Sequence, residues 1–474
     1  MAQSDTAAEQ PKLKRVMGPG LLLLFVVGDI LGTGVYALTG QVAGEVGGAA
    51  WLPFLVAFLI ATITAFSYLE LVTKYPQAAG AALYAHKAFG IHFLTFLVTF
   101  VVMCSGITSA STASRAFASN MVEGFGLDWG KVGVGAIALI FMAALAAINL
   151  RGVSESVKLN VGLTIVEITG LVTVIAVGLW AFTQGGDNLD FSRVVMFESE
   201  GERSTFVAVT AATSLAFFAM VGFEDSFNMA EETKDPVRIF PKVLLTGLSI
   251  AGVVYILVSI IAVALVPIGD LTASATPLVD VVEAAAPGLP IGDIFPFITM
   301  FAVSNTALIN MLMASRLIYG MARQHVLPPA LGAVHPKRQT PWVAILFTTF
   351  IAFGLIFYVS GFASSNAIAI LGGTTSLLLL MVFAVVNVAV LVLRKDIQNQ
   401  GKHFKTPTVL PIVGFLTSVY LVTPLSGRPA QQYLIAGILI AVGIVLFFIT
   451  TLINRQMGLK GQITDPAHLA DAPD

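Results

Sequence analysis

Val27-Gly28-Asp29-Ile30-Leu31-Gly32-Thr33-Gly34-Val35-Tyr36 lies in the middle of the first long hydrophobic run of the chain. Two glycines flanking a threonine suit a straight membrane helix poorly. Glycine costs about 1 kcal/mol against alanine in a helix interior, and it adopts backbone angles that a helix does not use. A helix interrupted at mid-membrane leaves amide groups that lipid cannot satisfy, so they must meet protein, water or a ligand. The stretch therefore predicts a break at Gly32–Gly34 and a polar binding place beside it.

Working outward, the rest of the chain has the same character. Hydrophobic residues make up 57% of the 474 and charged residues 11%, and mean hydropathy is +0.89. Soluble domains carry about 25% charged residues. Apolar runs of roughly 20 residues recur throughout, the signature of a polytopic helical membrane protein. The net charge of −2 gives no bulk argument for nucleic acid, and the single Cys104 excludes an internal disulfide and a cysteine metal cluster. The polar start, without a charged region ahead of a short apolar core, predicts that no signal peptide is removed and that the first span stays in place.

Twelve spans are predicted, at about 17–42, 50–73, 91–121, 132–150, 154–183, 204–231, 241–267, 291–321, 341–360, 364–393, 409–426 and 431–454, with a short surface helix at Val279–Ala286. They form one domain, 17–454, between polar tails at 1–16 and 455–474. With the N-terminus in the cytoplasm, only Arg115, Lys131, Arg193, Arg203 and Arg428 of the 25 Lys and Arg fall on the outer side. That bias predicts both termini inside and an even number of spans. The outer loops are acidic instead, with Asp187, Asp190, Glu198, Glu200 and Glu202 before span six, and Asp270, Asp280, Glu283 and Asp293 after span seven.

Span six carries a second mid-span glycine, in Phe217-Phe218-Ala219-Met220-Val221-Gly222-Phe223-Glu224-Asp225. Interrupted spans at matching places in two halves point to a carrier built from inverted repeats, with its site at the bilayer midplane. The repeats would be spans one to five (about 17–183) and six to ten (about 204–393), with spans eleven and twelve (about 409–454) added.

At these breaks the chain resembles the amino acid–polyamine–organocation superfamily, and within it the cationic amino acid transporter-like permeases. Gly28, Gly32, Gly34, Val35 and Tyr36 match its span-one pattern. Pro76, Ala79, Gly80 and Tyr84 match the element after span two. Gly222-Phe223-Glu224, Glu231-Glu232, Asp235-Pro236 and Pro241 match span six and its exit. Asn305, Ser315-Arg316, Tyr319-Gly320, Arg323, Leu327-Pro328 and Thr340-Pro341 match span eight and the approach to span nine. The resemblance runs from Gly18 to about Arg394. It implies an all-α integral membrane protein of leucine-transporter type, with twelve helices, a 5+5 inverted repeat plus two further helices, and helices one and six broken. It also implies alternating access by rocking of spans one, two, six and seven, in a cytoplasmic-membrane carrier.

The resemblance implies a main-chain cradle for an amino acid. The amides of Gly32, Thr33 and Gly34 would hold the carboxylate, at the positive end of the second half-helix. The carbonyls of Ile30, Leu31, Phe218, Ala219 and Val221, beside Gly222, would face the ammonium. Phe218 aligns with an aromatic gate, or simply packs. In span three Cys104, Ser105, Gly106, Ile107 and Thr108 are small, and either line the pocket or pack helices closely. Ser304, Asn305 and Thr306 lie where sodium-coupled relatives place ligands, and interhelical hydrogen bonds explain them equally well.

Ionised side chains at the bilayer centre cost about 2.5–3.5 kcal/mol, so Asp29, Glu167, Glu224 and Asp225 invite a functional reading. Glu167 departs from relatives that carry a lysine there, so their lysine-based coupling does not transfer. A carboxyl among apolar neighbours has its proton affinity raised by desolvation. Glu167, with Glu224 and Asp29 as alternatives, is the expected proton-coupling group, and a structural acid is the competing reading. Glu231, Glu232, Lys234, Asp235, Arg238, Lys242, Arg316 and Arg323 are expected at the cytoplasmic face as gate or solvated-loop residues.

The expected function is secondary active amino acid transport, coupled to protons with sodium as the alternative ion. No cofactor, metal or nucleic acid is expected, and the protein is expected to be a monomer or weak homo-oligomer. An amine or polyamine carrier and an amino acid exchanger are the rivals within transport. A channel or a nutrient sensor that no longer transports is the rival from another class. An enzyme is disfavoured by scattered histidines (His86, His92, His325, His335, His403, His468), and the chain holds no phosphate-binding Gly-x-x-x-x-Gly-Lys loop.

Overall fold

A computed structural model describes Arg15 and residues 17–77, 80–151, 153–185, 189–198, 203–230, 232–362, 367–396 and 403–456, with backbone only at 153–161 and 362. Both expected tails, save Arg15, Arg455 and Gln456, lie outside the described residues. So do Ala79, Asp187, Glu200, Glu202, Glu231 and Lys402 and the side chain of Lys158.

The described chain is all helical. Span one is two helices, α1 (Pro19–Ile30) and α2 (Thr33–Val46). Helix α3 (Trp51–Lys74) and the short α4 (Gly80–Phe89) lead to α5 (His92–Gly124), α6 (Gly130–Arg151) and α7 (Val153–Gln184). Span six begins as α8 (Thr205–Ala216). Then come α9 (Pro236–Leu265), short α10 (Ile268–Ala273) and α11 (Pro277–Ala285), α12 (Ile291–Arg323), α13 (Trp342–Phe362) and α14 (Ala367–Leu393). Helices α15 (Val409–Val422) and α16 (Ala430–Gln456) complete the order. The seventh span starts five residues before its expected limit, because Pro236 takes the first helical turn, where its missing N–H costs nothing.

Eleven of these segments are long and apolar enough to cross a membrane. The expected eleventh span, α15, is the exception. Its 14 residues rise about 21 Å, against a hydrocarbon core of about 30 Å. The extended Thr423 and then Pro424 stop it.

The two 33-residue helices α5 and α12 pack along each other at the centre. Helices α1 and α3 pack on α9, and α7 packs on α12. On the face away from Met17 the elements pack closely at two glycines. A Cβ on Gly40 would sit 2.1 Å from the Leu271 carbonyl oxygen, and one on Gly48 would sit 1.6 Å from that of Arg193. On this face burial and neighbouring acids, Glu123 among them, hold Asp280 and Glu283 above the usual carboxylate range.

On the Met17 face a polar staple joins α3 to the end of α14. Arg394 makes two 2.7 Å bonds to the buried Glu70 carboxylate, which also accepts the Thr406 amide at 2.8 Å. Lys74 donates to the Leu393 carbonyl at 2.6 Å, and Tyr75 to Asp396 at 2.5 Å.

Candidate functional site

The first break arises from the sequence that predicts it. Helix α1 stops at Ile30, Leu31 and Gly32 leave helical geometry, and α2 starts at Thr33. Gly32 has φ −69° and ψ −152°, a conformation open to any residue, so conformation alone does not require glycine there. Space does. A Cβ on Gly32 would lie 2.4 Å from Thr306 Oγ1, and one on Gly34 would lie 2.4 Å from the Ala219 Cα. The two broken spans therefore touch backbone to backbone at Gly34 and Ala219.

The second break is built differently. Helix α8 ends at Ala216, a 3-10 turn covers Phe217–Met220, Val221 is extended, and Gly222 has φ +123°. A side chain at Gly222 would be strained, and its Cβ would stand 2.6 Å from the Asp29 carbonyl oxygen. The chain then continues as 3-10 helix, Phe223–Met229. Aromatic packing holds this tighter winding. Phe227 stacks on Tyr68 with centroids 4.6 Å apart and on Phe240 at 5.6 Å, and Phe223 meets Tyr68 and Phe383 at 6.0 and 5.4 Å.

Between the breaks lies a small cavity. It is lined by Asp29, Ile30, Gly32, Thr33, Gly34 and Phe218, and by Val221, Gly222, Asp225, Ser109, Thr306 and Asn310. Its space for water centres is about 20 Å³, room for a water or so rather than for an amino acid. Seven of the expected binding residues thus share one cavity: Ile30, Gly32, Thr33, Gly34, Phe218, Val221 and Gly222. Ala219 is the wall behind Gly34. Two further small cavities continue from this one, sharing Asp225 with it and Glu224, Asn228, Val102 and Leu317 with each other. Ser105 lines the nearer of them.

The expected donors and acceptors are partly engaged. Thr33 N–H donates to Thr306 Oγ1 at 3.2 Å. The Phe218 carbonyl accepts Val221 N–H at 3.2 Å, and Tyr255 O–H donates to the Ile30 carbonyl. The Thr33 hydroxyl and one carboxylate oxygen of Asp29 are buried without a partner among the described residues. The first amides of a helix have no partner within it, which leaves Gly34 N–H available at the start of α2.

Other expected residues lie outside this cavity. The Thr108 hydroxyl faces Thr375 at 2.7 Å, joining α5 to α14. Ser304 donates back to its own helix at Met300, 2.6 Å. Asn305 Nδ2 donates to Thr164 Oγ1 at 3.0 Å and to Glu167 Oε2 at 3.3 Å. Glu167 is fully buried behind α1, between α7 and α12, with its other oxygen unpartnered among the described residues. Tyr36, on α2, donates to the Glu167 carbonyl at 2.7 Å. Glu224 turns back to accept Gly222 N–H at 2.9 Å, so it braces the second break.

The residues not anticipated were Ser109, Thr306 as a lining group, Asn310 and Asp225 as a lining acid. A signal for them exists. Val102, Ser105, Gly106 and Ser109 fall on one helical stripe of α5, and Thr306, Asn310, Met313, Ala314 and Leu317 on one of α12.

Among the described residues, eleven helices long and apolar enough to cross a membrane, with two spans broken against one another around a polar cavity, fit an α-helical membrane permease. The comparison with known proteins gives the family. The pattern of the amino acid permease family matches residues 22–453, and the chain belongs to that family. It is 28% identical to a methylthioribose transporter of Bacillus subtilis, over 94% of this chain and 96% of that protein. It is 25% identical to the branched-chain amino acid permease BcaP of the same organism, over 93% and 94%. It is 28% identical to the chloroplastic cationic amino acid transporter 9 of Arabidopsis thaliana, over 68% and 58%.

Proposed function

We propose that this permease is a secondary active amino acid transporter that works by alternating access and couples uptake to protons. The observation that carries the reading is the meeting of both breaks around one cavity, where the Thr33 hydroxyl and an Asp29 oxygen are buried without partners among the described residues. A substrate carboxylate would take the start of α2, where the Gly34 amide and the helix dipole favour negative charge. The close packing away from Met17, with the further cavities leading off the other way, fits a carrier resting closed on the outside.

The two halves of the chain also match in order and length. Break, α3, α4, α5, α6 and α7 in the first are followed by break, α9, α11, α12, α13 and α14 in the second, with 33 residues in both α5 and α12. That pairing supports the inverted repeat and its division near 183 and 204. The basic Met17 face supports both termini in the cytoplasm.

Glu167 is the proton-coupling group in this reading. It is a buried carboxyl with one oxygen unpartnered among the described residues, and it touches Asn305 beside the broken span, so its charge state can be felt at the break. The test is uptake of a mixture of the twenty amino acids into proteoliposomes under an imposed pH gradient. Wild type accumulates substrate. Glu167→Gln exchanges substrate across the membrane but no longer accumulates it. Accumulation that is driven by sodium alone, or that Glu167→Gln leaves intact, overturns the proton assignment. Absence of accumulation under any gradient overturns active transport.

A carrier of amines that lack a carboxylate is the second reading. It is favoured by Asp29 and Asp225 in a cavity whose lining, among the described residues, includes no basic side chain.

A further inference from the structure

The cradle expected from main-chain groups is not all that the cavity offers. Asp29 stands on the last turn of α1, with its Cγ 3.1 Å from where a Cβ of Gly222 would be, so its carboxyl lies against the second break. It is 8% exposed, it lines the cavity, and its Oδ2 has no partner among the described residues. Asp225 enters the same cavity three residues beyond Gly222. Its amide is held by the Gly222 carbonyl at 3.1 Å, and among the described residues its carboxylate has a single long bond, 3.5 Å, from Asn228. Two carboxylates from opposite breaks thus face one space with little to satisfy them. Asp29 is buried and Asp225 half-buried; carboxylates withdrawn from water without a counter-charge are costly, and a cation supplied by the ligand removes that cost.

Geometry narrows the cation. The amides that suit a carboxylate lie at the start of α2, and Asp29 lies one turn before them on the same span. A ligand with opposite charges a few bonds apart is matched by that spacing. An ammonium has three donors in a compact head. Here Asp29, Asp225 and the Asn310 side-chain oxygen offer acceptors around one cavity. Asn310 already spends its amide nitrogen on the Thr306 carbonyl, at 2.9 Å, which leaves that oxygen to accept.

We propose that Asp29 and Asp225 form a subsite for a primary ammonium group of the substrate, so that the amine is bound by side-chain carboxylates and not by main-chain carbonyls alone. The inference rests on the amino acid reading above and names what that reading leaves open. Asp225 also borders the two cavities beyond, so it can hold the amine at the break and again as the ligand moves on.

The test uses full-length protein in nanodiscs and measures thermal stabilisation and calorimetric binding. The probes are the twenty amino acids, each paired with its α-hydroxy acid, where hydroxyl replaces amine, and with its decarboxylated amine. For the amino acid that binds, the wild type prefers the amine over the hydroxy acid by about 10- to 100-fold, the range for hydrogen bonds to charged groups. Asp225→Asn and Asp29→Asn each collapse that preference while affinity for the hydroxy acid stays. Asp225→Glu retains part of it. Each substitution is scored alone, so one misfolded variant leaves the other to decide.

Amino acid binding with the preference unchanged in both variants overturns the subsite and leaves the amino acid reading standing. Binding of decarboxylated amines but of no amino acid does the reverse. Stabilisation by sodium chloride alone, lost in both variants, assigns the pair to a metal cation and overturns the subsite. Failure of the wild type to bind any probe overturns both.

Discussion

The two breaks look alike in the sequence and are not alike in the structure. The first resumes at once as a 14-residue α-helix, and the second never does. Helix α2 therefore presents an α-helical N-terminus, with oriented amides and a positive dipole end. The Phe223–Met229 segment is 3-10, where hydrogen-bond geometry is poorer and runs are short. It contributes side chains instead, Glu224 bracing Gly222 and Asp225 entering the cavity. The glycines differ in the same way. Gly32 and Gly34 are small because neighbours leave no room, and Gly222 is glycine because its φ is positive as well. The first break brings an α-helical N-terminus to the cavity as well as Asp29, whereas the second brings Asp225 from a 3-10 turn.

Substitutions can separate these two roles. Gly222→Ala carries the largest expected effect. Strain at φ +123° costs about 1–3 kcal/mol, and the overlap with the Asp29 carbonyl adds to it. Thermal unfolding should show the greatest loss here, and uptake should vanish. Gly34→Ala keeps an allowed backbone but drives Cβ into the Ala219 backbone, an overpacking worth about 1–3 kcal/mol. It should abolish uptake with a smaller fall in unfolding temperature. A Gly34→Ala protein less stable than Gly222→Ala would reverse the roles assigned to the breaks.

Gly32→Ala clashes with the Thr306 hydroxyl, 2.4 Å away, and meets the Asp29 carbonyl at an ordinary 3.5 Å, so the damage should be repairable. Thr306→Ala alone removes the acceptor of Thr33 N–H and should cost about 1 kcal/mol. The double variant should be more stable than the sum of the singles predicts, a coupling read from a double-mutant cycle. Strict additivity would show that Gly32 is not constrained by space. Thr108→Val is the smallest change. It removes a bond to Thr375 away from the cavity and should cost about 0.5–1.5 kcal/mol of stability with unaltered substrate affinity. A weakened affinity would return Thr108 to the site.

Much of this architecture is legible in the sequence. Hydropathy alone places eleven of the twelve expected spans within a few residues, because a bilayer leaves a backbone few alternatives to helix. The glycine clusters locate both breaks, since glycine in an apolar run needs a local reason. The facing of side chains is not legible at single residues. Thr108 and Ser105 are three apart and both small, yet a modest rotation of α5 turns one to α14 and the other to a cavity. Asp225 is visible as an intramembrane acid, but its role depends on the second break staying 3-10. A regular α-helix after Gly222 would point it elsewhere. That winding is set by the aromatic cluster on Tyr68, which joins residues far apart in the chain. Glu167 is legible as an anomaly, whereas its partnership with Asn305, 3.3 Å away, depends on how α7 packs on α12.

Helix α15 carries one more consequence. At about 21 Å it falls some 9 Å short of an average hydrocarbon layer. A lipid-facing segment this short is met by local thinning of the bilayer, by snorkelling of flanking side chains or by oligomerisation, at a modest energy per ångström. This short wall packs on α3 and α14, the pair that the Arg394–Glu70 staple ties together. Under the alternating-access proposal, this short wall would let the thickness of the surrounding bilayer bear on the helices that open and close the site.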